Sequence, residues 1–165
     1  MTTNIGGEVT NFKRKRLGLT DEYEPGADYL IIHLNDQIFG IPVLQIQDVL
    51  RDMNFTKVPL APAQVSGAMN LRGRIVTAIN VRRSLGLPEF EGDGKSLSVV
   101  VELDNELYSL IIDKVGDVVT IKDKNIDANP ATMESIWRNI STGIYKTENN
   151  LILILDVPKL LHSVH

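Results

Sequence analysis

The stretch YLIIHLNDQIFGIPVLQIQDV, residues 29–49, aligns without a gap on SVVVELDNELYSLIIDKVGDV, residues 98–118. Leu34 falls on Leu103, Asn35-Asp36 on Asp104-Asn105, Phe39 on Tyr108 and Asp48 on Asp117. In the first copy Leu30, Ile32 and Leu34 share one face of a strand. After the Asn-Asp pair, Phe39, Ile41 and Val43 follow at alternate positions. Alternation with a period of two marks a half-buried strand, and Asn and Asp tolerate the positive φ that a two-residue hairpin turn demands. Each stretch therefore reads as a β-hairpin. Pro42 cannot donate a ladder hydrogen bond, which predicts an edge or a bulge at that point.

A second pair of segments extends the repeat. GAMNLRGRIVTAINVRRSL, residues 67–85, matches GIYKTENNLILILDVPKLL, residues 143–161. Gly falls on Gly, Ile79-Asn80-Val81 on Leu155-Asp156-Val157, and Leu85 on Leu161. Arg72-Gly73 forms the turn of this hairpin, with Gly73 supplying backbone freedom. Ile75, Thr77, Ile79 and Val81 line one face of the strand that follows. The equivalent loop, Lys146–Asn150, has neither Arg nor Gly, so any role of Arg72 beyond the turn is private to the first copy.

Phe55–Val58 and Val118–Ile121 read as one extra strand in each half, and each half closes with a helical turn. Five short antiparallel strands suffice to close a small barrel. The expected fold is mainly β: two five-stranded small barrels of SH3- or OB-like kind, packed side by side, with short helical turns. The expected boundaries are a flexible N-terminal arm at 1–27, a first barrel at 28–92, and a second barrel at 93–165 that includes the C-terminal helical turn. Pro88, Gly92 and Gly94 mark the joint. In the arm, Lys13-Arg14-Lys15-Arg16 is balanced by Glu8, Asp21, Glu22 and Glu24, and large apolar residues are few, which is the composition of a solvated segment.

Composition narrows the chemistry. The 165 residues carry a formal net charge of −4, against a broad phosphate-binding surface. There is no cysteine, which removes disulfides, thiolate metal sites and cysteine nucleophiles and fits a reducing cytoplasm. The longest apolar run, Leu151 to Leu155, is far short of the roughly 20 residues of a membrane helix. No apolar signal segment opens the chain.

Catalytic constellations are not found in the sequence. Of the three histidines, His33 aligns with Glu102 on a strand's polar face, while His162 and His165 sit at the chain end. Two ligands at a loose end do not make a metal site. There is no phosphate-cradling Gly-rich loop, no GxSxG elbow and no HExxH helix. The expectation is a non-enzyme with no catalytic, cofactor-binding or metal-ligating residue. An oligonucleotide-binding small barrel is the alternative, and it needs a basic groove with exposed aromatic platforms. Aromatics make up only 5 % of the chain, and Phe39 and Tyr108 occupy positions expected to face cores. The one basic cluster after the arm is Arg72, Arg74, Arg82 and Arg83, with Arg74 and Arg82 expected on one strand face. Interaction with other proteins is the better reading, without nucleic acid.

Four segments carry a resemblance. FGIPVLQIQDVL (39–50), the prolines that follow, VSGAMNLRGRIVTAINVRRSLGL (65–87) and TGIYKTENNLILILDVPKLL (142–161) resemble the CheW family, the coupling proteins of bacterial chemotaxis. The resemblance runs from about Asp28 to Leu161 and is closest at Asn70-Leu71-Arg72-Gly73. It implies two five-stranded barrels and a non-enzymatic adaptor linking chemoreceptor cytoplasmic tips to the regulatory domain of the histidine kinase CheA. It also implies a cytoplasmic protein recruited to membrane receptor arrays without inserting into the membrane. The family's receptor-groove residues fall on Ile46, Asp48 and Val49, with the paired arginine at Arg72 in its Asn70–Gly73 turn. The family's usual acid is Glu; here it is Asp48, one methylene shorter. The resemblance assigns no residue to the kinase contact.

Overall fold

In the computed structural model, residues 24–51, 53–89 and 97–163 are described. Most of the predicted arm, and the joint glycines Gly92 and Gly94, lie outside those residues. Both repeated stretches fold as hairpins continued by a third strand. In the first copy these are β1 (Gly26–Leu34), β2 (Gln37–Pro42) and β3 (Ile46–Arg51). In the second they are β6 (Leu97–Leu103), β7 (Glu106–Ile112) and β8 (Lys114–Lys122). The second pair of segments gives β4 (Val65–Leu71) with β5 (Arg74–Asn80), and β10 (Ser141–Lys146) with β11 (Leu151–Leu155). A short β9 (Ile126–Asp127) precedes β10. The helices are α1 (Val81–Ser84), α2 (Ser135–Arg138) and α3 (Val157–His162).

Local chemistry accounts for the repeats. Asp104 and Asn105 take φ of 52° and 66°, and Arg72 and Gly73 take 52° and 87°, the all-positive geometry that suits the twist of a two-residue hairpin. Asn80 and Asp156, aligned in sequence, each cap a helix: their side chains accept from the backbone N–H of Arg83 and Lys159. The aligned glycines have a shared cause too. A Cβ on Gly67 would lie 2.6 Å from the Thr56 carbonyl oxygen, and one on Gly143 would lie 2.7 Å from that of Asp127.

The strands form two sheets, one of six in the order β8-β1-β2-β11-β10-β9 and one of five in the order β3-β6-β7-β5-β4. This differs from the expectation of one barrel per half. The β1–β2 hairpin is flanked by β8 and β11 of the second copy, and β6–β7 by β3 and β5 of the first. The boundaries 28–92 and 93–165 therefore separate two sequence copies, and neither copy forms a sheet alone. The arrangement has a pseudo-twofold relation, with β3 standing where β8 stands and β5 where β11 stands. Phe55–Val58 was expected to be a strand, yet it contributes only a one-residue bridge from Thr56 to Ala68, the counterpart of Asp127 pairing Ile144. The full extra strand of the first half is β3, while the expected Val118–Ile121 lies within β8.

The largest core cluster draws on both sheets: Leu30, Ile32, Leu34, Phe39 and Ile41 from one, Ile79, Val99, Val101, Leu110 and Ile112 from the other. Leu160 and Leu161 of α3 and the Trp137 ring, 5.7 Å from that of Phe39, join it. The intervening residues Tyr29 and Ile31 enter a second cluster, and Val100 a third. Strands β1 and β6 are thus buried on both sides, which explains their near-continuous apolar runs. Pro42 ends β2 beyond the reach of the β11 ladder, which spans Ile38 to Gly40, so its missing N–H leaves no gap.

Each sheet curls over its own small cluster. In the five-stranded sheet, Val76, Val100 and Leu107 are covered by Leu50 of β3 and by Met69 and Leu71 of β4, the strands at opposite ends of the sheet order. The two ends approach each other like barrel staves. Among the described residues no ladder joins them, so the expected closed five-stranded barrels are open, curled sheets.

Candidate functional site

The seam between those end strands is where the predicted site lies. β3 pairs with β6 through a bulge between Ile46 and Asp48, placing Asp48 opposite Val100. On the other side, Leu71 pairs with Arg74 and leaves Arg72-Gly73 as the turn. Asn70 closes this turn, its Oδ1 accepting the Gly73 N–H at 2.9 Å. Arg72 Nη2 then donates to Asp48 Oδ2 at 2.7 Å, while Asp48 Oδ1 accepts the Val49 N–H at 2.8 Å. The shorter acid still reaches its arginine.

The Asp48 side chain is 25 % exposed and that of Arg72 is 76 % exposed. An exposed pair of this kind contributes about 0–1 kcal/mol, too little to be the main closure of the sheet. Its effect is to fix where a solvent-facing guanidinium sits. One charge-bearing loop is stapled across the seam.

The other predicted residues divide. Val49 is 39 % exposed beside the ion pair, and Asn70 is exposed. Ile46 is half-buried and packs on the shared core, while Leu71 packs on the sheet's own cluster. Both therefore serve packing first. Gly73 has open space around a hypothetical Cβ, so its requirement is conformational.

The basic cluster disperses into separate ion pairs. Arg74 donates to the Asn105 carbonyl at 3.1 Å and lies 3.5 Å from Glu102. Arg83 pairs with Glu89 and holds its carboxyl below the usual range. Arg82, expected beside Arg74 on a strand face, belongs to α1 and donates to both oxygens of Asp113, at 2.8 and 2.6 Å. Those side chains are only 12 % and 11 % exposed, and the pairing raises the Arg82 pKa despite burial. Four arginines each matched to a carboxylate do not make a phosphate-binding face. Tyr108 is half-buried against the core, and its hydroxyl donates to Glu106, which lifts the phenol pKa to about 12. It is no free stacking platform.

Sequence reasoning missed one residue here. Ile75 was expected on the same strand face as the buried Ile79, and it is 71 % exposed. It stands three residues beyond Arg72, where the strand leaves the core. The signal available was its place two residues after the turn. His33 lies on β1 near Lys114 and Asp117, outside the seam. Among the described residues no group of three or more His, Cys, Asp or Glu could hold a metal ion, and no helix is long and apolar enough to cross a membrane.

A family model described as a CheW-like domain matches residues 28–165. The chemotaxis protein CheW of Helicobacter pylori is 30 % identical over 141 residues, covering 86 % of this chain and 85 % of that one. The chemotaxis protein CheW of Bacillus subtilis is 26 % identical over 143 residues, covering 87 % and 92 %. The crystal structure of the scaffolding protein TtCheW from Thermoanaerobacter tengcongensis superposes with a TM-score of 0.71 at 26 % identity, covering 79 % of this chain and 88 % of that one.

Proposed function

The chain belongs to the CheW-like family, and from that membership we propose that it is a chemotaxis scaffold, an adaptor that couples chemoreceptor cytoplasmic tips to the histidine kinase CheA. It works without turnover of its own, by holding two partners in register. The observation that carries this reading is the stapled seam: Asp48 fixing an exposed Arg72 beside the exposed Val49. That combination of one oriented cation and an adjacent aliphatic residue suits a receptor helix, whose side chains recur on one face every three or four residues. Asn70 and Gly73 hold the turn, Leu71 packs beneath it on the sheet's own cluster, and Ile46 packs on the shared core. Recruitment to the membrane follows from receptor binding, with the adaptor itself at the cytoplasmic face.

The test is a titration of a purified receptor tip and of the kinase regulatory domain against wild type, Arg72→Ala, Asp48→Ala and the double variant, beside their melting curves. Arg72→Ala should leave stability within about 0.5 kcal/mol, as exposed changes do. It should weaken association by about 1–3 kcal/mol, the range of an interface arginine. Asp48→Ala should cost less, and the double variant should fall short of additivity because one residue acts through the other. Normal binding of both partners by Arg72→Ala, together with early melting, would make this loop a structural strut.

A further inference from the structure

Along one face of β5 the side chains run from Ile79, fully buried in the shared core, through half-buried Thr77, to Ile75 in solvent. The apolar stripe of the core thus continues to the surface and ends uncovered beside the Arg72 turn. At that end β5 and the parallel strand β7 border a cleft of about 410 Å³, lined by Arg74, Ile75 and Thr77 on one side and Asn105, Glu106 and Leu107 on the other. Two charged groups of the rim are already engaged: Arg74 with the Asn105 carbonyl and Glu102, and Glu106 with Tyr108. The large apolar side chain exposed in this cleft is Ile75.

We propose that Ile75 is a specificity-determining anchor of the docking site, and that the cleft beside it takes an aliphatic side chain from the same partner helix that meets Arg72. This rests on the receptor-docking reading of the seam. The occupant follows from spacing and charge. Ile75 sits opposite Asn70 in the ladder, about two residues or 7 Å back from the turn that carries Arg72. Side chains three or four apart on a helix are separated by about 5–6 Å. A helix with a Leu, Ile, Val or Met one turn from a carboxylate therefore places its apolar group over Ile75 and its acid at the Arg72 guanidinium. Such a partner reads two features at once, and a helix carrying the acid alone loses the second. Charge sets the orientation and the cleft sets which side chain is accepted.

The experiment uses the full chain and the receptor-tip fragment of the titration above, with Ile75→Gln, Ile75→Val and Arg72→Ala, at about 0.05 and about 0.5 M salt. Ile75→Gln should weaken binding about tenfold at both salt concentrations, because the lost contact is apolar. Ile75→Val should lose only a fraction of that. Arg72→Ala should lose most at low salt, where its charge is least screened. Melting temperatures should be unchanged in all three. Normal binding by Ile75→Gln with weakened binding by Arg72→Ala overturns the anchor and leaves the docking reading intact. Normal binding by both overturns the docking reading as well. A loss in Ile75→Gln that follows salt, or that comes with an equal fall in melting temperature, also refutes an apolar anchor.

Discussion

Replacing Asp113 by Ala tests the least exposed ion pair described above. Asp113 sits between β7 and β8 and accepts from Arg82 Nε at 2.8 Å, from Arg82 Nη2 at 2.6 Å and from the Asn35 N–H at 2.7 Å. It therefore ties α1 of the first copy and the β1–β2 turn to a strand junction of the second. Arg82 also donates from Nη1 to the Pro88 carbonyl at 2.6 Å, which extends the tie to the chain leaving α1. With both side chains nearly nine-tenths covered, truncating the acid removes the carboxylate that two guanidinium nitrogens and a turn N–H share. Breaking a buried pair from one side costs about 3–5 kcal/mol, and the remaining exposure favours the lower end, about 3 kcal/mol. For a chain of this size each kcal/mol shifts the midpoint by about 2–4 °C, so the melting temperature should fall by about 6–12 °C. Replacing both residues together, as Arg82→Leu with Asp113→Leu, should recover part of that loss because no largely buried charge remains to be solvated. Thermal melts followed by far-ultraviolet circular dichroism, with urea titrations, provide the numbers. A loss below about 1 kcal/mol in Asp113→Ala would show that the pair behaves like a surface pair and joins nothing.

Other perturbations follow from the same contacts. Gly67→Ala and Gly143→Ala force a Cβ against a neighbouring carbonyl oxygen, and each should cost about 1–3 kcal/mol by urea denaturation. Glu24, held by Lys122 and Lys124, has its pKa lowered from 4.5 to about 2. Its folded value lies below its unfolded value, so its contribution is present above about pH 4.5 and lost as pH falls towards 2. The difference in melting temperature between wild type and Glu24→Gln should accordingly shrink across that window. Because every sheet mixes both copies, fragments 1–89 and 90–165 should be unfolded separately and regain the β spectrum when combined. A fragment that folds alone would contradict the interleaved topology.

The elements were readable from the sequence because they depend on local chemistry. Alternation and the Asn-Asp and Arg-Gly turns are written within a few residues of where they act. The exchange of strands between copies was not readable, because a repeat fixes what each copy resembles and leaves open which copy it pairs with. Leu30 and Ile31 illustrate the difficulty: both are buried, one in the shared core and one in the sheet's own cluster, so alternation alone undercounts the burial. Asp48 and Arg72 were brought to attention by resemblance, and 24 residues separate them in the chain. Arg82 was misplaced because the strand period was carried one turn too far, past Asn80, where the helix begins.

Duplication supplies two nearly equivalent seams, and a few substitutions make them different. Val118 is exposed on β8 as Val49 is on β3, and Leu151 opens β11 exposed as Ile75 does near the start of β5. Asp117 repeats Asp48. At the position of Arg72, however, the second copy carries Glu148, so an acid stands where the first copy has its cation. Two carboxylates repel where a carboxylate and a guanidinium attract, and no staple of the first kind forms there. A helix with a carboxylate placed for Arg72 would meet the Glu148 carboxylate at the equivalent position of the second copy. On the proposed docking reading, the pseudo-symmetry would otherwise offer two competing faces, and the change from a cation to an anion at one turn tells them apart.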